Sequence, residues 1–78
     1  MSGSEVRLTL HDGEALTIAA RDVSRVCQNL WRLAPRQDAV FLYGVVTAET
    51  RSPSTGVPLE LTAPQSVMMR EAVAMLNA

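Results

Sequence analysis

The chain has 78 residues, of which 47% are hydrophobic and 19% are charged, and its formal net charge at neutral pH is −1. That composition excludes a disordered tail, and the length predicts a single domain at residues 5–78 after a flexible N-terminus at residues 1–4. The single cysteine excludes an internal disulfide, and no apolar run reaches the ~20 residues of a membrane helix or forms a signal peptide, so we expect a cytoplasmic protein. All seven basic residues are arginine, a usage typical of GC-rich bacterial genomes.

A β-hairpin is predicted at the start of the domain. Apolar and polar residues alternate in two short runs, and Asp12 and Gly13 stand between them. An Asp-Gly pair favours a two-residue turn in which both central residues take positive φ. The apolar positions that should face the core are Val6, Leu8, Leu10, Leu16 and Ile18.

A helix with one apolar face is predicted between residues 20 and 34. Apolar residues recur there at spacings of three and four, Asp22 falls in the first turn, and Pro35 ends the helix. The opposite side carries a narrow stripe of arginine and glutamine, in which Arg21, Arg25 and Arg32 are candidate contacts for nucleic acid. The negative net charge argues that such binding is weak, and the ordinary role of such a stripe is to solvate a helix.

The segment from residue 39 to residue 50 fits two interpretations. Its β-branched and aromatic residues favour a strand, which would give the chain order ββαββα. As a strand, however, the segment would extend ~40 Å in a domain only ~25 Å across, whereas as a helix it would extend ~20 Å. Asp38 is a suitable N-cap, so we predict a helix.

Apolar side chains lie on two sides of this predicted helix. Phe41 and Val45 are assigned to the core, and the other side presents Leu42 and Val46 with Tyr43 beside them. Either neighbouring elements of the chain cover that second side, or another subunit does. We predict a homodimer or another protein contact there, with a candidate interface formed by Leu42, Tyr43 and Val46, and by Trp31 at its edge.

A short strand and a third helix complete the predicted fold. Leu59 and Leu61 alternate around Glu60, and Thr62 with Gln65 forms a capping box that marks the start of the helix. We predict an α+β fold in the order β-hairpin–α–α–β–α, with a three-stranded sheet packed by helices. Further core positions are Val26, Leu30, Leu33, Met69, Val73 and Leu76, whereas Ser66, Arg70, Glu71 and Asn77 are assigned to the surface.

The sequence contains no pattern that supports catalysis or cofactor binding. His11, the only histidine, lies in the predicted hairpin turn, and Cys27 lies in the apolar face of its helix, where a thiol is inert. The four glycines are isolated, so no phosphate-binding loop is expected, and no residues cluster as metal ligands. We therefore predict a non-enzymatic protein-interaction or regulatory module without cofactors, which self-associates.

Two alternative functions remain open at this level. The first is a weak nucleic-acid-associated factor that uses the arginine stripe, and the second is a carrier of small apolar ligands with a pocket lined by Met68, Met69 and Met75. No membrane contact and no small-molecule substrate are evident from the sequence. Binding to DNA or RNA that weakens steeply with salt would distinguish the first alternative from a protein-interaction module.

Overall fold

Two strands and three helices follow one another along the part of the chain that the structure, a computed structural model, describes, which is residues 5–51 and 60–77. The strands are β1 (Glu5–Thr9) and β2 (Ala15–Ala19), and the helices are α1 (Val23–Leu33), α2 (Arg36–Arg51) and α3 (Ala63–Ala74). Single 3-10 turns at Ala20–Asp22 and Met75–Asn77 precede α1 and follow α3. The predicted α+β class is confirmed, while the N-terminus predicted to be flexible, residues 1–4, lies outside the described residues.

The predicted hairpin is confirmed, but its turn is longer than the Asp-Gly pair suggests. The Gly13 amide donates to the Leu10 carbonyl (2.9 Å) and the Leu10 amide donates to the Glu14 carbonyl (2.8 Å), which closes a three-residue loop. Gly13 has a φ of 88°, and no other described residue has a positive φ. Asp12 instead uses its Oδ1 to accept from the Glu14 amide (3.0 Å). A type I turn followed by a left-handed glycine therefore replaces the predicted turn.

The predicted third strand is not seen in the described residues, where the sheet has two strands. Glu60 forms one isolated parallel bridge with Thr9, and the Leu61 amide donates to the Thr9 carbonyl (3.2 Å). Leu59 lies outside the described residues. Directly after Leu61 the chain turns into the helix cap at Thr62, so within residues 60–77 the contact with β1 ends there.

The helical interpretation of the central segment is confirmed by α2, and the ββαββα alternative is wrong there. Pro35, which cannot donate a backbone hydrogen bond, separates α1 from α2, and its carbonyl accepts from the Ala39 amide (2.8 Å). The helix therefore begins at Arg36. Asp38 lies in its first turn and is not the predicted N-cap, although a carboxylate there still suits the helix dipole.

The start of α3 follows the predicted capping box. The Thr62 side chain accepts from the Gln65 amide (3.3 Å), and the Gln65 side chain accepts from the Thr62 amide (3.0 Å). Pro64 lies in the first turn, where the missing N–H leaves no helical bond unmade. The Asn29 side-chain amide donates to the Ala72 carbonyl (3.0 Å), which ties α1 to α3.

The hydrophobic core lies between the inner face of the hairpin and the three helices. β1 and β2 pair so that Val6 faces Ile18 and Leu8 faces Leu16 on one side of the sheet. Of the predicted core positions, Leu16, Leu33, Val45, Val73 and Leu76 are only partly buried against it. The fully covered members of the core are Val6, Leu8, Leu10, Ile18, Val26, Cys27, Leu30, Ala39, Leu42, Val46, Leu61, Met69 and Ala72.

The orientation predicted for α2 is wrong. Leu42 and Val46, assigned to an interface, are completely buried within the chain, whereas Phe41, assigned to the core, is 43% exposed. Both sides of the helix carry apolar residues, so the periodicity of the sequence does not determine which side faces the core. The side that contains Ala39 is the one that contacts α1 and β1, and the small alanine allows close approach of the backbones.

Among the helices of the described residues, none combines the length and the hydropathy that crossing a bilayer requires.

Candidate functional site

Two clefts of similar size open on the surface of the described residues. The first, of about 420 Å³, lies between the hairpin turn and α3, and we call it the hairpin cleft. The second, of about 440 Å³, lies between α1 and α2, and we call it the α1–α2 groove. Because their volumes are almost equal, the chemistry of their walls decides which is the better candidate site.

The polar groups of the hairpin cleft are paired with one another. The Arg70 guanidinium contacts the Asp12 carboxylate (3.0 Å) and the Glu14 carboxylate (2.9 Å). The Ser66 hydroxyl oxygen accepts a hydrogen bond from the His11 backbone amide (2.8 Å). Ser66 is buried, and its predicted position on the surface is therefore wrong. These bonds join residues 55 to 58 positions apart and fasten the hairpin to α3. The cleft is therefore explained as a structural contact.

No sequence signal could have shown this contact. The side chains of Ser66 and Arg70 lie on the face of α3 that its hydrophobic pattern assigns to solvent, and their partners are in the hairpin. Only the packing of α3 beside the hairpin turn brings them together. His11 contributes its backbone amide to the contact, and its own side chain remains exposed, as the sequence predicts for a turn residue.

The walls of the α1–α2 groove are largely apolar and carry two aromatic side chains. Trp31 from α1 is 48% exposed and Tyr43 from α2 is 46% exposed. Their ring centroids lie 6.5 Å apart with the planes inclined by 48°, a tilted aromatic contact. Val23 and Cys27 line the groove below them. The structure thus brings together two of the four residues predicted for the interface.

The helical spacing explains how these side chains meet. Cys27 and Trp31 are four residues apart on α1, and Tyr43 and Thr47 are four residues apart on α2, so each pair projects from one side of its helix. The Thr47 hydroxyl donates to the Tyr43 carbonyl of its own helix (2.9 Å). That hydroxyl proton is already engaged, which adds to the apolar character of the groove.

Cys27 is the cysteine of the groove. The side chain is 5% exposed, and burial raises the pKa of its thiol. A raised pKa keeps the thiol protonated at neutral pH, whereas the thiolate is the nucleophile and the metal ligand. Cys27 therefore serves as a small apolar group in the groove.

The other two residues predicted for the interface do not belong to it. Leu42 and Val46 have no exposed surface and pack in the core cluster. They lie on the side of α2 that faces the rest of the chain, about 60–100° around the helix axis from Tyr43. Their predicted place at the centre of an interface is therefore wrong, and the candidate surface shifts to Trp31 and Tyr43.

The arginine stripe predicted on α1 is exposed. Arg21, Arg25 and Arg32 are all open to solvent. The Arg25 guanidinium forms an ion pair with Asp22 one turn earlier (2.8 Å), which leaves it less available to a ligand. Among the side chains that the structure describes, no carboxylate pairs with Arg21 or Arg32. Their contact with nucleic acid stays a prediction.

Within residues 5–48 and 60–77, no three acidic, histidine or cysteine side chains are grouped so that they could hold a metal ion. Neither the hairpin cleft nor the α1–α2 groove is lined by a methionine, and Met69 is completely buried in the core. The apolar pocket expected from Met68, Met69 and Met75 is therefore not formed by these clefts. A comparison with protein-family models, with curated proteins and with solved structures found no match for the chain.

Proposed function

We propose that this chain is a non-enzymatic protein-binding module whose binding site is the α1–α2 groove. The observation that carries the proposal is the contact of two half-exposed aromatic rings, Trp31 and Tyr43, above an apolar floor. Tryptophan and tyrosine are the residues most enriched at the energetic centres of protein interfaces. Each ring retains about half of its surface for a partner to cover.

A helix of a protein partner suits the groove better than a small ligand. Small-molecule pockets bury roughly 70–90% of their ligand, and the rings that would have to enclose one here are themselves half in water. A helix laid along α1 and α2 would instead cover both rings and place apolar side chains at i, i+3, i+4 and i+7 in the groove. We therefore assign the groove to an amphipathic helix of a partner protein.

The hairpin cleft supports the non-enzymatic part of the proposal. Its arginine, carboxylates and serine satisfy one another, as Arg70 does with Asp12 and Glu14, so none of these groups is held ready for a substrate. The buried Cys27 thiol suits a reducing compartment, and we propose the cytoplasm as the place of action.

The single tryptophan allows a direct test. We would titrate the protein with a peptide that forms an amphipathic helix, with leucine on one face and glutamine on the other, and follow the emission of Trp31 and the amide NMR spectrum. A shift of the emission to shorter wavelength is expected, together with amide shifts concentrated at Ser24, Gln28 and Thr47. A scrambled peptide of the same composition is the control.

Two matched variants locate the binding. Tyr43→Ser should lower the affinity for the peptide by about tenfold or more, as expected of an interface hot spot. Val67→Ser should leave the affinity unchanged, because Val67 is 61% exposed but lies in the hairpin cleft. Equal losses in both variants, or amide shifts confined to the hairpin cleft, would contradict the proposed site.

A further inference from the structure

Three arginines of the described chain stand at the border of the α1–α2 groove. Gln28 lines the groove, and Arg32, four residues later, lies on the same side of α1. Arg21 lies in the 3-10 turn before α1, next to Ala20, which also lines the groove. Arg36 precedes Tyr43 by seven residues and so shares its side of α2. All three arginines are exposed. The apolar groove therefore has a cationic border on both helices.

Asp22 and Asp38 are the carboxylates nearest in sequence to these arginines, and neither forms an ion pair with them. Among the described side chains, no carboxylate lines the groove and none forms an ion pair with these three arginines. Asp12 and Glu14 are engaged by Arg70 at the hairpin, and Asp22 is engaged by Arg25. Because the whole chain has a net charge of −1, the border is a local concentration of charge and not a sign of a basic protein.

We propose that the helix which occupies the groove is acidic, with apolar side chains against Trp31 and Tyr43 and carboxylates beside Arg21, Arg32 and Arg36. This inference rests on the proposed protein-binding function and specifies the chemistry of the partner. Guanidinium groups bind carboxylates in a bidentate geometry, and a complementary charged border steers association and selects among partners.

A second copy of this chain fits the groove less well. A twofold contact pairs a surface with itself, so Arg32 and Arg36 of both copies would be gathered around the same two aromatic pairs. Like charges brought together at an interface cost free energy. Nucleic acid would match the charge but would leave the apolar floor at Val23 and Cys27 without an apolar partner. An acidic amphipathic helix satisfies both the floor and the border.

Three matched peptides test the charge of the partner. All carry the same leucine face, and the opposite face carries glutamate, glutamine or lysine. In low salt the affinity for the glutamate peptide should be about tenfold or more above that for the lysine peptide, and the affinity for the glutamine peptide should lie between them. The difference should shrink as salt is added, because salt screens the charges. Trp31 emission and amide shifts at Ser24, Gln28 and Thr47 report the binding.

Charge reversal in the protein provides the matched control. Arg32→Glu should lower the affinity for the glutamate peptide and raise the affinity for the lysine peptide. Adding Arg36→Glu should increase both changes. Arg7→Glu makes the same change of net charge on the exposed side of β1 and should leave the order of the peptides unaltered. Circular dichroism establishes that each variant is folded.

The outcomes separate this inference from the proposed function. Equal affinity for the three peptides at the groove would overturn the acidic partner and leave the protein-binding groove in place. No binding of any peptide would overturn both. Light scattering that shows a dimer dissociated by Tyr43→Ser would identify a second copy as the occupant, and tighter binding of oligothymidylate than of the glutamate peptide would identify nucleic acid. Either result would refute the acidic helix.

Discussion

The two sides of α2 have similar apolar residues and opposite roles. The inner side presents Ala39, Leu42 and Val46, which have no exposed surface, and it packs on α1 and β1. The outer side presents Val40 and Tyr43, which remain about half exposed. Since each side of α2 carries a valine and a larger apolar or aromatic side chain, hydrophobicity does not determine which side faces the core. The neighbouring elements decide, and the apolar surface that they leave uncovered is the surface that we propose for binding.

A matched pair of valine substitutions should produce the largest difference between the two sides. Val46→Glu places an unpaired carboxylate in the core at a cost on the order of 5 kcal/mol or more, comparable to the whole stability of a small domain. Val40→Glu makes the same change on the outer side and should leave the chain folded. Circular dichroism and the dispersion of amide NMR signals distinguish the two. A Val46→Glu protein that remains folded would contradict the assignment of the inner side of α2 to the core.

Truncation of large side chains should give an intermediate difference. Leu42→Ala removes a completely buried side chain and should lower the free energy of unfolding by about 2–5 kcal/mol. Phe41→Ala should cost less, about 1–2 kcal/mol, because 43% of its surface is already in water. Urea denaturation of both variants measures the losses. A larger loss at Phe41 would show that the outer side carries core contacts.

A glycine on the outer side offers a stabilising change. Gly44 lies inside α2, and a Cβ added there meets no atom within 4 Å. Gly44→Ala should raise the free energy of unfolding by about 0.5–1 kcal/mol, because alanine loses less backbone freedom in a helix. The control is Gly13→Ala, which should instead destabilise the chain by about 1 kcal/mol, since its φ of 88° strains any side chain. Thermal unfolding of both variants would test this opposition in sign.

The smallest expected effect is a pH dependence of the free energy of unfolding. It comes from the thiol of Cys27, in the floor of the groove beside the outer side of α2. Burial raises the pKa of Cys27 in the folded state, so the folded state retains the thiol proton more strongly than the unfolded state does. The corresponding stabilisation is complete below the ordinary cysteine pKa of about 8.5 and is lost as the pH rises above it. The stability advantage of the natural chain over Cys27→Ala should therefore shrink between pH 7 and pH 10. An advantage that grows with pH would contradict a buried thiol.

Features encoded by neighbouring residues could be predicted from the sequence. The alternation around Asp12 and Gly13 indicates the hairpin, and the pair Thr62 and Gln65 marks the start of α3. Pro35 separates two helices because it lacks a backbone donor. Each of these signals acts within a few residues, so it does not depend on where the rest of the chain lies.

Features that depend on packing could not be predicted in the same way. The periodicity of α2 permits either side to face inward, which is why Leu42 and Phe41 exchanged places. Ser66 looks like a surface residue until the hairpin turn supplies a donor for it. In the candidate site, Trp31 could be recognised as a residue at the edge of its helix face, but its contact with Tyr43 requires the angle between α1 and α2.

The fastening of the hairpin to α3 has a consequence for the order of folding. A two-stranded hairpin has little stability of its own in water, and here it is held by bonds such as those from His11 to Ser66 and from Arg70 to Asp12, which span 55 and 58 residues. Such contacts form only after a long loop has closed, which slows folding. On the ribosome the hairpin is made first, and α2 can pack on β1 soon afterwards, but the bonds of the hairpin turn must wait for α3 to emerge. The turn of the first element to be synthesised is then among the last parts of the domain to be fixed.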